Sequence, residues 1–286
     1  MNILKSLKFK KIVSVIVCLL IAFSFSGCSV SDKLEKLIGM GAEQQTERPT
    51  VRITFPEGTN VFQIANMLEE NGVCTSEAFL QKANDTEFLK SYAFFENVSL
   101  EGRPYAAEGY LFPDTYDFYV DEGAEKAISR FLDNTEAKLD DSVIARCNEI
   151  GMTLDEVVNL ASLIQEEAGN PAEMPMISSV LHNRLESPSF PKLQCDASSF
   201  YLLDYVKPYT NEAEYEIIKN AYSTYICEGL SEGPITNPGI DAINAALSPA
   251  ESDYYFFCSD AENNYYYAET FDEHNENCVL AGIITN

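Results

Sequence analysis

The stretch LASLIQEEA, residues 160–168, organises the rest of this chain. Apolar residues recur at helical spacing from a start near Thr153, which predicts an amphipathic helix with one face in the core: Leu154, Val157, Ala161, Ile164 and Ala168. At about 100° per residue, Glu166 lies nearly opposite that face and Glu167 lies on its flank. Partial burial on the flank would raise the pKa of the Glu167 carboxyl, as a general acid requires. Most helical glutamates are solvated surface charges, so the periodicity alone leaves both interpretations open.

The charge of the chain excludes one class of partner. The chain has 286 residues, enough for one large domain or two modest ones, and a formal net charge of −26. Residues 1–27 carry four lysines and no acidic residue, so the remainder carries −26 − 4 = −30. Such a surface repels phosphate backbones, and we expect no nucleic-acid partner. It also repels anionic lipid unless a separate anchor holds it there.

The N-terminus has the layout of a secretory signal. Four lysines precede an apolar run over residues 12–25, which is short for a membrane-spanning helix. The run ends in Phe25-Ser26-Gly27-Cys28, which resembles a bacterial lipobox. We therefore expect a signal peptide at 1–27, lipidation of Cys28 and a polar tether over 28–50, with an uncleaved N-terminal anchor as the alternative. Either anchor predicts a position on the extracytoplasmic face of a bacterial cell membrane.

Six further cysteines are scattered along the chain: Cys74, Cys147, Cys195, Cys227, Cys258 and Cys278. An even count in an exported protein permits disulfides, but no two of these cysteines are close in sequence. We expect free, partly buried thiols. No CxxC spacing occurs, so the sequence predicts no zinc or other metal site.

Residues 51–90 have the pattern of a small α/β unit. Residues 51–55 alternate as a strand, and a helix from the N-cap Asn60 ends at Asn71-Gly72. A second short helix begins at Ser76. The ITFPEGT sequence at 53–59 and the helix after it resemble the LysM-like subdomain of the YceG-like (MltG) endolytic murein transglycosylases.

The segment EGYLFPDTYDFY, residues 108–119, carries a more specific resemblance. From the residues alone, Pro113-Asp114 predicts a turn between two extended, aromatic-rich stretches that pack in the core. The string is similar to the family's EGYLFPDTY signature. We expect Glu108 and Asp114 to help shape the site.

Four later segments resemble the same family in order along the chain. Leu193-Gln194-x-Asp196 is similar to the family's LQSDPT segment, from which Cys195, Ala197 and Ser198 depart. Residues 222–225 are similar to its YNTY, and residues 228–239 are similar to its glycine- and proline-rich loop. Glu273-His274-Asn275 is similar to its terminal HN. Tyr265 stands where the family has a histidine, which removes one polar group expected in the cleft. Outside these segments the pattern predicts helices over 124–139, after Pro175 and over 241–247, and a buried strand over 254–257.

The family's LASIVEKE motif aligns with residues 160–167. Its first glutamate becomes Gln165 here, and its catalytic glutamate falls on Glu167. The resemblance implies an α+β fold with a LysM-like subdomain at 51–90 and a catalytic domain at 91–286. It also implies cleavage of β-1,4 bonds within peptidoglycan strands to leave 1,6-anhydro ends, with Glu167 as single acid and base and no cofactor. Sugar-binding candidates follow from the matched segments: Gln194, Asp196, Tyr222, Tyr225 and Asn237.

Two other functions stay open at this point. One is a catalytically silent peptidoglycan-binding or scaffolding lipoprotein, and the other is a muramidase that adds water and releases reducing ends. Peptidoglycan strands are the expected substrate or ligand in each case. Partnership with peptidoglycan synthases is implied by the resemblance alone.

Overall fold

A computed structural model describes residues 48–284, and the chain from Pro49 onward forms one compact unit. The predicted signal peptide, Cys28 and nearly all of the predicted tether lie outside the described residues, and they stay predictions. Between residues 48 and 284, no helix combines the length and apolar character needed to cross a membrane.

The first strand pairs with a strand far along the chain. Strand β1 (Thr50–Thr54) runs antiparallel to β2 (Thr115–Tyr119), with Thr50 opposite Tyr119 and Thr54 opposite Thr115. The pairing joins residues on the two sides of the subdomain boundary predicted near residue 90. That boundary, and the LysM-like nature of the first unit, stay predictions.

Three helices lie between these strands: α1 (Val61–Glu70), α2 (Ser76–Ala83) and α3 (Thr86–Leu89). The predicted start of α1 is confirmed, because the Asn60 side chain accepts from the Gln63 N–H and the Gln63 side chain accepts in return. The prediction of an extended stretch before Pro113 is wrong. The Leu111 N–H donates to the Asn237 side chain and the Phe112 N–H donates to Thr135, so this backbone bonds to side chains and to no neighbouring strand.

Helix α4 (Ala124–Lys138) confirms the prediction for 124–139, while α5 (Asp141–Ile150) was not predicted. Phenylalanine rings join α4 to the first sheet and to α2. The Phe55 and Phe131 centroids lie 4.9 Å apart, and Phe131 also contacts Phe118 and Phe79. Edge-to-face aromatic pairs add to the burial energy, so this cluster stabilises the N-terminal half of the fold.

The glutamate-containing helix α6 (Leu154–Glu167) is the central helix of the fold. The predicted start near Thr153 is confirmed, and Thr153 is the N-cap, since it forms a capping box with Glu156. The amphipathic prediction is wrong for its middle, where eight consecutive residues, 157–164, are all buried. A helix that is buried all round packs against neighbours on several sides. Here they include α5, α7 (Met174–Glu186, with Pro175 in the first turn) and α10 (Ile240–Leu247).

The chain between α7 and α10 forms further helical segments. Helix α8 (Asp196–Tyr201) continues into a π-helical turn over Leu202–Val206 and a short 3₁₀ turn over Lys207–Tyr209, before α9 (Glu212–Tyr222). None of these helical segments was predicted, although the candidate residues Asp196 and Tyr222 lie in them.

A second hairpin and a last helix complete the chain: β3 (Phe256–Ser259), β4 (Tyr265–Ala268) and α11 (Phe271–Leu280). The predicted strand over 254–257 begins later than expected, because the Tyr254 carbonyl accepts from the Asn183 side chain instead of a strand partner. Two small antiparallel sheets with many helices confirm the α+β fold class. The six cysteines of the described region are free thiols as predicted, although four of them are buried and not merely partly buried.

Candidate active site

Glu167 is the last residue of α6, where the buried helix reaches the surface of the core. Its Oε1 is inaccessible to solvent and has no hydrogen-bond partner. Burial is the largest of the effects that together raise the pKa of the Glu167 carboxyl to about 7; a hydrogen bond from the Ala197 N–H opposes it, and the nearby charge of Asp196 adds to it. The predicted direction of the shift is confirmed. A carboxyl with this pKa is present in both protonation states near neutral pH, as acid and base roles in one cycle require.

Two cavities meet at this carboxyl. The first, of about 210 Å³, lies between α8, the glycine- and proline-rich loop and the start of α1, and its lining includes Gly58, Gln63, Tyr201 and Thr236. The second, of about 470 Å³, lies between α8 and the second hairpin. Glu167 and Asp196 line both cavities.

The end of α6 is held by backbone contacts from distant segments. The Tyr265 hydroxyl donates to the Glu167 carbonyl at 2.9 Å and accepts from the Gly169 N–H at 2.6 Å. On the other side, Gln165 accepts from the Gly239 N–H at 3.0 Å. Tyr265 was predicted only to remove a polar group from the cleft. In the structure its hydroxyl fixes the end of the helix that carries Glu167.

Glu166 points to the turn after β1. The φ of Gly58 is +82°, which favours glycine, and an ideal Cβ there would lie 2.6 Å from the Glu166 Oε1, so that any other residue would displace this carboxyl. Although much of the Glu166 side chain is exposed, burial of its carboxyl raises the pKa, and a hydrogen bond from Thr236 opposes this. Glu167 is the stronger acid–base candidate because its Oε1 is shielded from water and its shift is larger.

Asn237 and Glu108 form a buried polar cluster behind the first cavity. The Asn237 side chain donates to the Thr59 carbonyl and to Glu108, and it accepts from the Leu111 N–H, at 2.8–3.0 Å. Glu108 also accepts from the Val61 N–H at the start of α1. Burial raises the pKa of Glu108 well above its usual value. Both side chains are completely or almost completely buried, so in this structure they hold the surrounding loops together and present no free group to a ligand.

The other candidates divide into two groups. Gln194, Asp196 and Tyr225 line the second cavity; Tyr225 donates to Asp196 at 2.6 Å, and Gln194 accepts from Arg184 at 2.6 Å. Tyr222 is buried, with its ring stacked on Tyr201 at a centroid distance of 6.0 Å. Asp114 is exposed, bonds the Thr115 N–H and Asn134, and lies outside the linings of both cavities in the described part of the chain.

Several lining residues were not predicted, including Tyr201, Tyr205, Phe200 and Gln63. Phe200 is 62% exposed, a large apolar ring at a cavity that also has polar groups. Tyr201 has a buried hydroxyl without a partner. Phe200 and Tyr201 follow the matched segment around Asp196 in the sequence, but only the formation of α8 turns them to the cavity.

Comparison with known proteins now adds to this geometry. A model of the YceG-like family matches residues 25–279 of the chain. This chain belongs to the YceG-like family. The resemblance taken from the sequence motifs is thereby confirmed.

A solved relative supports the fold of this YceG-like protein. The crystal structure of a YceG-like protein from Listeria monocytogenes superposes with a TM-score of 0.68 at 29% sequence identity. The match covers 85% of this chain and 80% of the Listeria chain.

Two curated relatives are named endolytic murein transglycosylase. The protein of Streptococcus pneumoniae serotype 2 (strain D39) is 29% identical over 266 residues, which is 87% of this chain and 48% of the relative. The protein of Bacillus subtilis (strain 168) is 28% identical over 232 residues, 79% of this chain and 63% of the relative. The chain therefore spans about half to two thirds of the length of these relatives.

Proposed function

We propose that this YceG-like protein is an endolytic lytic transglycosylase of peptidoglycan. It would cleave the β-1,4 bond between N-acetylmuramic acid and N-acetylglucosamine within glycan strands and leave 1,6-anhydro ends. The names of the relatives support the substrate class. The observation that carries the proposal is a shielded carboxyl, with a pKa of about 7, at the junction of two cavities.

The proposed reaction needs one ionisable group. Protonated Glu167 gives its proton to the glycosidic oxygen, the bond from that oxygen to the anomeric carbon breaks, and the N-acetylglucosamine hydroxyl leaves. The 6-hydroxyl of the muramic acid ring attacks the anomeric carbon and returns a proton to the Glu167 carboxylate. No water is consumed, and the enzyme ends in its starting protonation state.

The surroundings of Glu167 suit a polymer of alternating sugar rings. A strand that occupies both cavities would place a glycosidic bond beside the carboxyl. Phe200 and Tyr225 offer exposed aromatic faces for pyranose rings, while Gln63 and Thr236 offer polar groups for hydroxyls and N-acetyl groups. Gln63 belongs to the predicted 51–90 unit, so we propose that this unit contacts the same strand.

Glu167→Gln tests the role of the carboxyl, with Glu166→Gln as the matched neighbour. We expect Glu167→Gln to lose about 100-fold or more in the release of anhydro-ended fragments from purified glycan strands, because general acid–base catalysis contributes on that scale. Glu166→Gln should keep most of the activity. Near wild-type turnover by Glu167→Gln would reject the assignment.

A hydrolytic muramidase is the second candidate, because the Asp196 carboxylate lines both cavities beside Glu167 and offers a second acidic group. Mass spectrometry of the products separates the two reactions, since hydrolytic products are heavier by one water. Binding of strands by the wild type without any shortening would instead favour the non-catalytic scaffold.

We also propose that the protein is tethered to the outer face of the cell membrane through its N-terminus, with Cys28 lipidated. The support is the sequence pattern of residues 1–28. Metabolic labelling with an alkyne fatty acid should mark the wild type and not Cys28→Ala. A contact with peptidoglycan synthases stays a prediction from the family.

A further inference from the structure

Three metal-binding side chains meet at the wall of the second cavity. The donor atoms of Cys258, His274 and Cys278 all lie within 4.8 Å of one another. The Cys278 Sγ is 3.6 Å from the His274 Nε2. Both cysteines are buried, and all three residues line the cavity that contains Glu167.

Local structure brings two of these donors together and the hairpin supplies the third. His274 and Cys278 are four residues apart on α11, so they lie on one face of the helix. A capping box between Thr270 and Glu273 fixes where that helix begins. Cys258 lies on the buried face of β3, where its neighbours Phe257 and Ser259 are only partly buried.

The imidazole is held by its surroundings. The His274 ring stacks on Phe256, with centroids 5.3 Å apart and planes 25° apart. Phe256 shares the buried face of β3 with Cys258, so the strand that carries one donor also orients another. The chain has two histidines; the other, His182, bonds the Ala246 carbonyl.

We propose that Cys258, His274 and Cys278 form a zinc site whose fourth ligand is a water in the second cavity. Thiolate and imidazole donors together select zinc among the common divalent ions, and three protein ligands with one open position are an established zinc arrangement. Zinc–sulfur and zinc–nitrogen bonds of about 2.3 and 2.1 Å place tetrahedral donors roughly 3.5–3.8 Å apart. The Cys278–His274 pair already has this spacing, and the remaining separations need to shorten by at most about 1 Å.

Zinc binding would form two Zn–S bonds and one Zn–N bond and release two thiol protons to solvent. With neutral imidazole, the two thiolates balance the charge of the ion. The ion would tie α11 to β3 and so fix one wall of the cavity beside Glu167. This site does not depend on the proposed peptidoglycan cleavage, and its test does not use that activity.

The experiment uses the full chain, reduced and freed of metal with a chelator under anaerobic conditions. Titration with Zn²⁺ against a chromogenic chelator should show one tight equivalent. Zinc binding should weaken by more than about 100-fold in each of the variants Cys258→Ser, Cys278→Ser and His274→Ala. Substitution of a residue that only hydrogen-bonds a metal ligand costs about 10–100-fold, so a larger loss indicates a direct ligand. The control Cys227→Ser removes a half-buried free thiol elsewhere and should bind zinc as the wild type does.

Titration of the wild type with Co²⁺ keeps the test independent of how the variants fold. Tetrahedral thiolate coordination should give strong sulfur-to-metal charge-transfer and visible ligand-field bands. A weak octahedral spectrum, zinc uptake that survives all three ligand substitutions, or a Cys258–Cys278 disulfide in peptide maps of the protein as isolated would each overturn the zinc site.

Discussion

The pKa of Glu167 predicts a specific dependence of stability on pH. A carboxyl with a pKa of 4.5 in the unfolded chain and about 7 in the folded chain binds more protons when folded, between these two values. The free energy of unfolding therefore falls as pH rises through this window. At pH 5 the cost of the shift is about 1 kcal/mol, and at pH 8 it is about 3 kcal/mol, both from about 1.4 kcal/mol per pKa unit.

Glu167→Gln removes this titration and keeps the shape of the side chain. Between pH 5 and 8, we expect the free energy of unfolding of the wild type to fall by about 2–3 kcal/mol more than that of Glu167→Gln. For a domain of this size, that is roughly 5–10 °C in the relative melting temperature. At pH 8 the variant should be the more stable protein, although it is expected to be inactive.

Urea denaturation followed by circular dichroism, at several pH values and constant ionic strength, measures this difference. Glu166→Gln is the matched control, and its difference from the wild type should depend less on pH. Parallel pH profiles for the wild type and Glu167→Gln would refute the reasoning, because they would mean that the folded-state pKa of Glu167 is not raised.

Two further substitutions test how the site is held. Tyr265→Phe removes the hydroxyl that bonds the Glu167 carbonyl and the Gly169 N–H. We expect a loss of about 1–3 kcal/mol of stability and a lower kcat with little change in KM. The control Tyr266→Phe, on the same strand, should leave kcat unchanged. Asn237→Leu removes the side-chain partner of Glu108, of the Leu111 N–H and of the Thr59 carbonyl, of which Glu108 keeps the Val61 N–H and Thr59 keeps the backbone N–H of residue 237. We expect a cost of about 2–3 kcal/mol in urea denaturation, against less than about 0.5 kcal/mol for a substitution at the exposed Asn148.

Contacts between distant segments explain most of what the sequence did not predict. Tyr265 reaches Glu167 across 98 residues, and no local pattern signals such a bond. The match of its loop to the family's glycine- and proline-rich segment predicts a sugar-binding role for Asn237, yet Asn237 lies buried among Thr59, Glu108 and Leu111. CxxC spacing is a local signal for metal ligands, and it is absent where a strand and a later helix bring the donors together.

Local signals, by contrast, predicted where helices begin and where the candidate acid lies. Asn60 caps its helix as expected and the later helix starts at Thr153 as expected, because a side-chain oxygen three residues before a free N–H forms the same bond in any fold. Helical periodicity likewise placed Glu167 at the edge of the buried face.

By itself, the sequence determined the family, through motifs in order along the chain, and the starts of the helices near Asn60 and Thr153, since a helix start depends on residues a few positions apart. It also favoured Glu167 over Glu166 as the candidate acid. Only the tertiary structure decided that the Glu167 Oε1 is closed off from water, that two cavities meet there and that three metal donors share a wall. The physical reason is that desolvation and ligand geometry depend on every atom within a few ångströms, and most of those atoms come from distant parts of the chain.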